Sequence, residues 1–221
     1  MKKLLITIDG PAGAGKTTVS RALAERLGYR YIDTGALYRG VAYEARRRNI
    51  DLQDDNELED LCRQLQLSFV TNEKGLRLYC GKADITDQIR TPEISMMASA
   101  VSAKSVVRQY LLKVQRDIGS QKAAVFEGRD MGTVVFPDAD VKFFLDASPE
   151  IRALRRFQEG DDKLGQTLKE VQNDMRQRDA NDSTRKLAPL RLADDAILID
   201  SSELSIDRVV DLMLYYVEQN R

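Results

Sequence analysis

Gly10, Gly15, Lys16 and Thr17 are spaced as glycine, four residues, then Gly-Lys-Thr, a pattern whose chemistry is phosphate binding. Glycines along Gly10-Pro11-Ala12-Gly13-Ala14-Gly15 let backbone N–H groups converge on phosphate oxygens with no Cβ in the way. Lys16 then reaches the outer phosphates of a nucleoside triphosphate, and the Thr17 hydroxyl is placed to ligate Mg²⁺. A second group of polar residues sits elsewhere. Arg39 lies one turn into an expected helix, and Gly128-Arg129-Asp130-Met131-Gly132 sets an Arg-Asp pair between two glycines at the end of an apolar run. Both places are expected at carboxyl edges of strands, where α/β proteins bind ligands. A third group is the arginines Arg152, Arg155, Arg156, Arg176, Arg178, Arg185 and Arg191, which bracket the polar segment Gly160-Asp161-Asp162-Lys163-Leu164-Gly165. Two helices joined by such a turn could close over phosphates as a lid.

The chain has no histidine. Imidazole acid–base chemistry, histidine metal sites and Ser-His triads are therefore excluded, and catalysis must run on lysine, arginine, carboxylates and metal. Phosphoryl transfer, which needs positioning and charge neutralisation above all, is compatible with that inventory. Cys62 and Cys80 have no metal-binding spacing and read as small buried hydrophobes. The 34 basic and 35 acidic residues nearly cancel, so no global attraction to nucleic acid or membrane is expected.

The elements that must hold these groups follow from periodicity. Leu4 to Ile8, Tyr29 to Asp33, Ala123 to Glu127, Asp140 to Asp146 and Ala196 to Asp200 read as strands, each followed by a helical pattern. About five strands alternating with helices predict an α/β fold, a doubly wound parallel sheet with the phosphate loop at its first strand. Within it the period changes to 2 over Leu67–Thr71 and Leu76–Cys80, with a turn at 72–75 and a third short strand near Ala83-Asp84-Ile85. This antiparallel patch reads as an inserted subdomain of roughly 30 residues. The pattern from Thr91-Pro92 to about Ile118 is helical, with Ser99, Arg108 and Arg116 as its polar entries. Ser148-Pro149-Glu150 reads as a helix start, and residues 205–218 as the closing amphipathic helix.

With these parts assembled, nearly the whole chain resembles the bacterial cytidylate kinases, a family of P-loop nucleoside monophosphate kinases. The likeness rests on the blocks Ile8 to Lys16, Asp33-Thr34-Gly35-Ala36-Leu37-Tyr38-Arg39, Gly128-Arg129-Asp130-Met131-Gly132-Thr133-Val134-Val135-Phe136-Pro137, and Arg178-Asp179 through Arg185 and Ala188-Pro189-Leu190. The resemblance implies one kinase domain over 1–221, with a core of 1–66 and 120–221, a monophosphate-binding insert at about 67–119 and a helical lid at about 155–188. It implies transfer of the γ-phosphoryl of ATP to CMP and dCMP, with Mg²⁺. Gly10, Pro11, Ala12, Gly13, Ala14, Gly15, Lys16, Thr17 and Thr18 would hold the ATP phosphates. Ser99, Arg108 and Asp130 would read the cytosine, a carboxylate being able to accept from its exocyclic amine. Thr34 would contribute to the CMP site, where Arg39 and Arg129 grip the phosphate, Arg178 and Asp182 contact the ribose, and Arg185 contacts the phosphates. Lys16, Arg129, Arg178 and Arg185 would be catalytic, and Asp33 would join Thr17 at the metal, through water. One departure is Ser105, where the family often has proline, so the backbone leading to Arg108 is less fixed.

Two other readings stay open from the residues alone. One is a kinase for a different small acceptor such as a sugar acid, against which the paired Arg39 and Arg129 argue, since they suit an acceptor already bearing phosphate. The other is a nucleotide-gated switch with a protein partner, for which no effector segment is visible. A monomer is expected, in the cytoplasm, with small-molecule substrates and neither a nucleic-acid polymer nor a membrane as partner; Met1-Lys2-Lys3 runs straight into a strand and no apolar run approaches spanning length.

Overall fold

The structure is a computed structural model that describes residues 2–73, 75–159 and 167–221. The expected Gly160–Gly165 turn of the lid lies outside the described residues. The chain divides into two compact units, residues 1–32 with 121–221, and residues 33–120.

The first unit is built on strands β1 (Leu5–Asp9), β2 (Arg30–Asp33, whose last residue opens the second unit), β6 (Ala124–Gly128), β7 (Val141–Asp146) and β8 (Ile197–Asp200). They form one five-stranded sheet in the order β2-β6-β1-β7-β8. The pairs β1–β6, β1–β7 and β7–β8 are parallel, with Ile6 opposite both Val125 and Val141. β1 and β6 are buried along their whole length, which is why they read as largely apolar runs before Asp9 and Glu127. Ile6, Ile8, Phe126 and Phe143 are each 1% exposed or less, and burying a side chain of that size stabilises the fold by about 1.5–3 kcal/mol. Helix α1 (Lys16–Leu27) and the closing helix α8 (Ile206–Gln219) add Val19, Leu23, Val209, Val210, Met213 and Val217 to the same core. Ser205 caps α8, its hydroxyl accepting from the Arg208 N–H at 3.3 Å. Helices α6 (Pro149–Glu159) and α7 (Leu168–Thr184) complete this unit, α7 opening with a full capping box between Thr167 and Glu170. The chain crosses from β1 over β6 to β2 and later returns to the other side of β1 at β7, so the carboxyl end of β1 is the switch point of the sheet.

The second unit contains α2 (Thr34–Arg47), α3 (Asp55–Gln64), the antiparallel sheet β3 (Leu67–Asn72), β4 (Gly75–Cys80) and β5 (Ala83–Asp84), then α4 (Pro92–Val101) and α5 (Ser105–Gly119). Its own core joins Leu37 and Val41 of α2 to Leu58, Leu67, Leu78, Ile94 and Leu111. The antiparallel insert and its third strand are present as expected. The helical stretch from Pro92 is two helices, not one. Its break at 102–104 carries no glycine or proline; instead the Ser102 hydroxyl donates back to the Ser99 carbonyl at 2.7 Å. The triplet Arg46-Arg47-Arg48 ends α2 in ion pairs, Arg47 and Arg48 with Glu44 and Arg46 with Glu93. Among the described residues no helix is long and apolar enough to cross a membrane.

Candidate active site

The loop between β1 and α1 is shaped by close approach. Gly10 has φ +148°, and a Cβ there would lie 2.0 Å from the Leu145 carbonyl oxygen of β7. At Gly13, φ +73°, a Cβ would come within 2.7 Å of the Arg152 carbonyl oxygen and 2.8 Å of Met175 Cε. Both positions demand glycine, for conformation and for space. α1 begins directly at Lys16, so its first N–H groups face the loop's concavity.

Lys16 is buried and its ammonium donates to the Pro11 carbonyl at 2.6 Å. Burial holds its pKa well below the usual lysine range, the Arg129 and Arg178 charges add to the depression, and Glu127 and Asp9 oppose it. A group so placed gains from a phosphate that supplies the missing negative charge. Thr17 donates its hydroxyl to Glu127 Oε1 at 2.9 Å. Glu127 is buried near the end of β6, the strand beside β1. Hydroxyl and carboxylate oxygens in contact are the donor set that Mg²⁺ takes. Sequence reasoning passed over Glu127. The signal that could have found it is an acidic residue ending an apolar strand, combined with the knowledge that this strand neighbours the phosphate-loop strand.

Just beyond Glu127 the chain turns through Arg129 and Asp130 into a single π-helical turn, Met131–Val135. Arg129 Nε donates to Asp182 Oδ2 of α7 at 2.9 Å. Arg185, which follows α7, reaches Asp130 at 3.4 Å and lies 4.0 Å from Asp182. Its Nε also donates to the Ala188 carbonyl at 2.6 Å. Arg129, Asp130, Asp182 and Arg185 are thus one interlocked group, and Asp130, Asp182 and the Arg185 side chain are almost wholly buried. Arg178 acts electrostatically on Lys16 from α7. The structure therefore brings together Lys16, Thr17, Arg129, Asp130, Arg178, Asp182 and Arg185.

Two arginines expected as mobile charge are braces instead. Arg152 Nη1 donates to the Ala12 carbonyl at 3.0 Å and to Asp179 Oδ2 at 2.5 Å, and its Nε donates to the Ala147 carbonyl at 3.0 Å. Arg155 donates to the Ser201 hydroxyl and carbonyl at 3.0 and 2.6 Å, and Ser201 in turn donates to the Ala14 carbonyl at 3.2 Å. Both guanidiniums fix the outer wall of the phosphate loop rather than await a ligand.

In the second unit, Asp33 is the N-cap of α2. Its Oδ1 accepts from the Ala36 N–H at 3.0 Å and its Oδ2 from Arg39 Nη2 at 2.7 Å. Burial pushes the Asp33 carboxyl up, but Arg39, the Ala36 N–H and Arg90 together hold it below the usual carboxylate range. Thr34 is buried in the first turn of the same helix. Arg108 lies with its guanidinium carbon 5.8 Å from the Tyr38 ring centroid and donates to the Ser102 carbonyl at 3.1 Å. Ser105 opens α5 without a side-chain cap from Lys104, and the Ser102 carbonyl and Tyr38 ring hold Arg108 one turn further on. Ser99 lies half-buried on α4, three residues before the break.

A glycine loop at the switch point of a parallel sheet, a buried lysine on the following helix and a hydroxyl–carboxylate pair beside it define a P-loop phosphotransferase. Two solved structures share the fold across 98% of this chain and 99% of their own: an uncharacterized protein from Eubacterium ventriosum (TM-score 0.56, 12% identity) and the shikimate kinase of Bacteroides thetaiotaomicron (TM-score 0.52, 14% identity). At such identities the likeness is one of fold alone. Sequence goes further. The family model for cytidylate kinase matches residues 6–219. The cytidylate kinase of Geobacter sulfurreducens is 51% identical over 212 residues, covering 95% of this chain and 91% of the relative. Cytidylate kinase 1 of Haemophilus influenzae is 42% identical over 217 residues, covering 98% and 94%. The chain belongs to the cytidylate kinase family.

Proposed function

We propose that this chain transfers the γ-phosphoryl of ATP to CMP and dCMP, giving the diphosphates and ADP. The observation that carries the acceptor side is the interlocked group of Arg129, Asp130, Asp182 and Arg185 at the end of β6, beside the strand that feeds the phosphate loop. The planar forks of Arg129 and Arg185 match the oxygens of an acceptor that already bears phosphate. Asp130 supplies the acceptor for the cytosine amine, where uracil would present a carbonyl and be repelled.

In this reading the loop from Gly10 to Thr18 cradles the ATP phosphates. Lys16 leaves the Pro11 carbonyl for the β/γ-phosphates, and with Arg129, Arg178 and Arg185 it neutralises charge that spreads over the transferred group. Mg²⁺ would supply further charge neutralisation at the phosphates. Thr17 would hold it directly and Glu127 through water. Glu127 takes the place first given to Asp33, because it already touches Thr17 whereas the Asp33 oxygens serve a helix cap and Arg39. By the resemblance, Thr34, Arg39, Ser99 and Arg108 also contact CMP, and Asp182 and Arg178 take the ribose. The protein is read as a cytoplasmic monomer.

Replacing Asp130 with Ala tests the base assignment. CMP turnover should fall far more than ATP binding; equal loss on both sides removes Asp130 from base reading.

A further inference from the structure

Asp9 is the last residue of β1, directly before Gly10, and is only 4% exposed. Its Oδ1 accepts from the Met131 N–H at 2.9 Å and its Oδ2 from the Gly132 N–H at 2.7 Å. These are the first two N–H groups of the π-helical turn that follows Arg129 and Asp130. N–H groups at the start of a helical turn need an acceptor, and an aspartate at the preceding position ordinarily supplies it. Asp130 occupies that position, yet its side chain makes no capping hydrogen bond. The carboxylate does other work, holding Arg185 at 3.4 Å. The fit around Asp9 is close: a Cβ on Gly132 would sit 3.4 Å from Asp9 Oδ2 and 3.2 Å from both Thr7 Oγ1 and Lys142 Cδ.

We infer that Asp9 is a positioning residue for acceptor selectivity: it caps the Met131–Val135 turn from the neighbouring strand, so the Asp130 carboxylate is not drawn into capping and can face the base. The inference rests on Asp130 reading the cytosine. Without the Asp9 cap, the Asp130 carboxylate could rotate back onto the Gly132 N–H, which would withdraw it from a ligand. With Asp9 in place that route is closed, since both N–H groups are taken and a second carboxylate is repelled there.

The test compares the wild type, Asp9→Asn, Asp130→Asn and the double variant, with kcat/KM for CMP and for UMP at saturating ATP, KM for ATP, and a thermal melt. Asparagine at position 9 keeps one acceptor but turns an amide N–H₂ toward the second N–H, so the cap is half lost. Asp9→Asn should lower the CMP-to-UMP ratio by about tenfold or more, the scale of one charge-assisted hydrogen bond. It should leave KM for ATP nearly unchanged, and it should cost no further selectivity once Asp130 is already asparagine. Equal loss for CMP and UMP, or the same further loss of ratio in the Asp130→Asn background, overturns the inference while leaving the base assignment standing. A wild-type ratio in Asp130→Asn itself sinks the base assignment, and the inference with it. Should Asp9→Asn fail to fold, Gly132→Ala displaces the same turn with Asp9 retained, and the same ratios decide.

Discussion

The Thr17 hydroxyl donates to Glu127 Oε1 at 2.9 Å, joining the first turn of α1 to the end of the neighbouring strand β6. This contact fixes the Thr17 hydroxyl against the Glu127 carboxylate. If Glu127 holds a metal-bound water, Glu127→Gln should cost about a hundredfold in kcat, roughly 3 kcal/mol. The Mg²⁺ concentration for half-maximal rate should rise, with metal-free ATP binding little changed. A Mg²⁺ titration of the variant that overlays the wild type would remove Glu127 from the metal site.

Gly13 is pressed by the backbone of α6. In Gly13→Ala the new Cβ meets the Arg152 carbonyl oxygen at 2.7 Å with φ at +73°, so the loop or α6 must shift. A stability loss of roughly 2–4 kcal/mol is expected, read by denaturant unfolding, together with weaker ATP binding. An unchanged unfolding midpoint would contradict the close approach.

Arg152 ties the Ala12 carbonyl to Asp179 of α7 and to the Ala147 carbonyl. Lysine has no fork: its three donors share one nitrogen and cannot span acceptors that Arg152 reaches from both Nε and Nη1. Arg152→Lys should therefore lower stability by about 2 kcal/mol and raise KM for ATP by about tenfold, with CMP selectivity kept. Loss of CMP selectivity with ATP binding intact would show that Arg152 acts elsewhere.

Asp9 gives stability an inverted pH dependence. Burial, the largest influence, raises its pKa from 3.8 to about 6; the Gly132 and Met131 N–H groups and Lys16 pull it down, and the Asp130 charge pushes it further up. The folded chain therefore binds this proton more tightly than the unfolded chain. The resulting stabilisation is fully present below 3.8 and is lost as pH rises through about 6. At 1.36 kcal/mol per unit, roughly 3 kcal/mol is at stake. Asp9→Asn has no such titration. The stability of the wild type relative to this variant should thus fall between about pH 4 and pH 6 and level off above, and a relative stability that grows over that window contradicts the assignment.

What the residues alone disclosed follows from how local each signal is. The parallel strands were legible because Leu5–Ile8, Ala124–Phe126 and, in β7, Val141, Phe143 and Leu145 are buried, leaving mostly apolar runs. The phosphate loop was legible because its glycines and Lys16 are contiguous. Glu127 and Asp9 were not, because their importance comes from β6 lying beside β1, a crossover between segments more than 110 residues apart in sequence. The place of Asp33 as the cap of α2 is local and could be read from Asp33-Thr34-Gly35, whereas its metal role came from the resemblance alone. Arg152 and Arg155 looked like lid charge because composition cannot tell a guanidinium facing solvent from one spent on buried carbonyls. The break between α4 and α5 left no trace because Ser102-Ala103-Lys104 contains no residue that stops a helix.

The most direct test of the central claim is a coupled assay for ADP release with ATP and a panel of nucleoside monophosphates. CMP should give the highest kcat/KM, with dCMP next to it and UMP and AMP well below. UMP or AMP outpacing CMP would contradict the assignment of Asp130, and with it the acceptor site built around Arg129, Asp182 and Arg185.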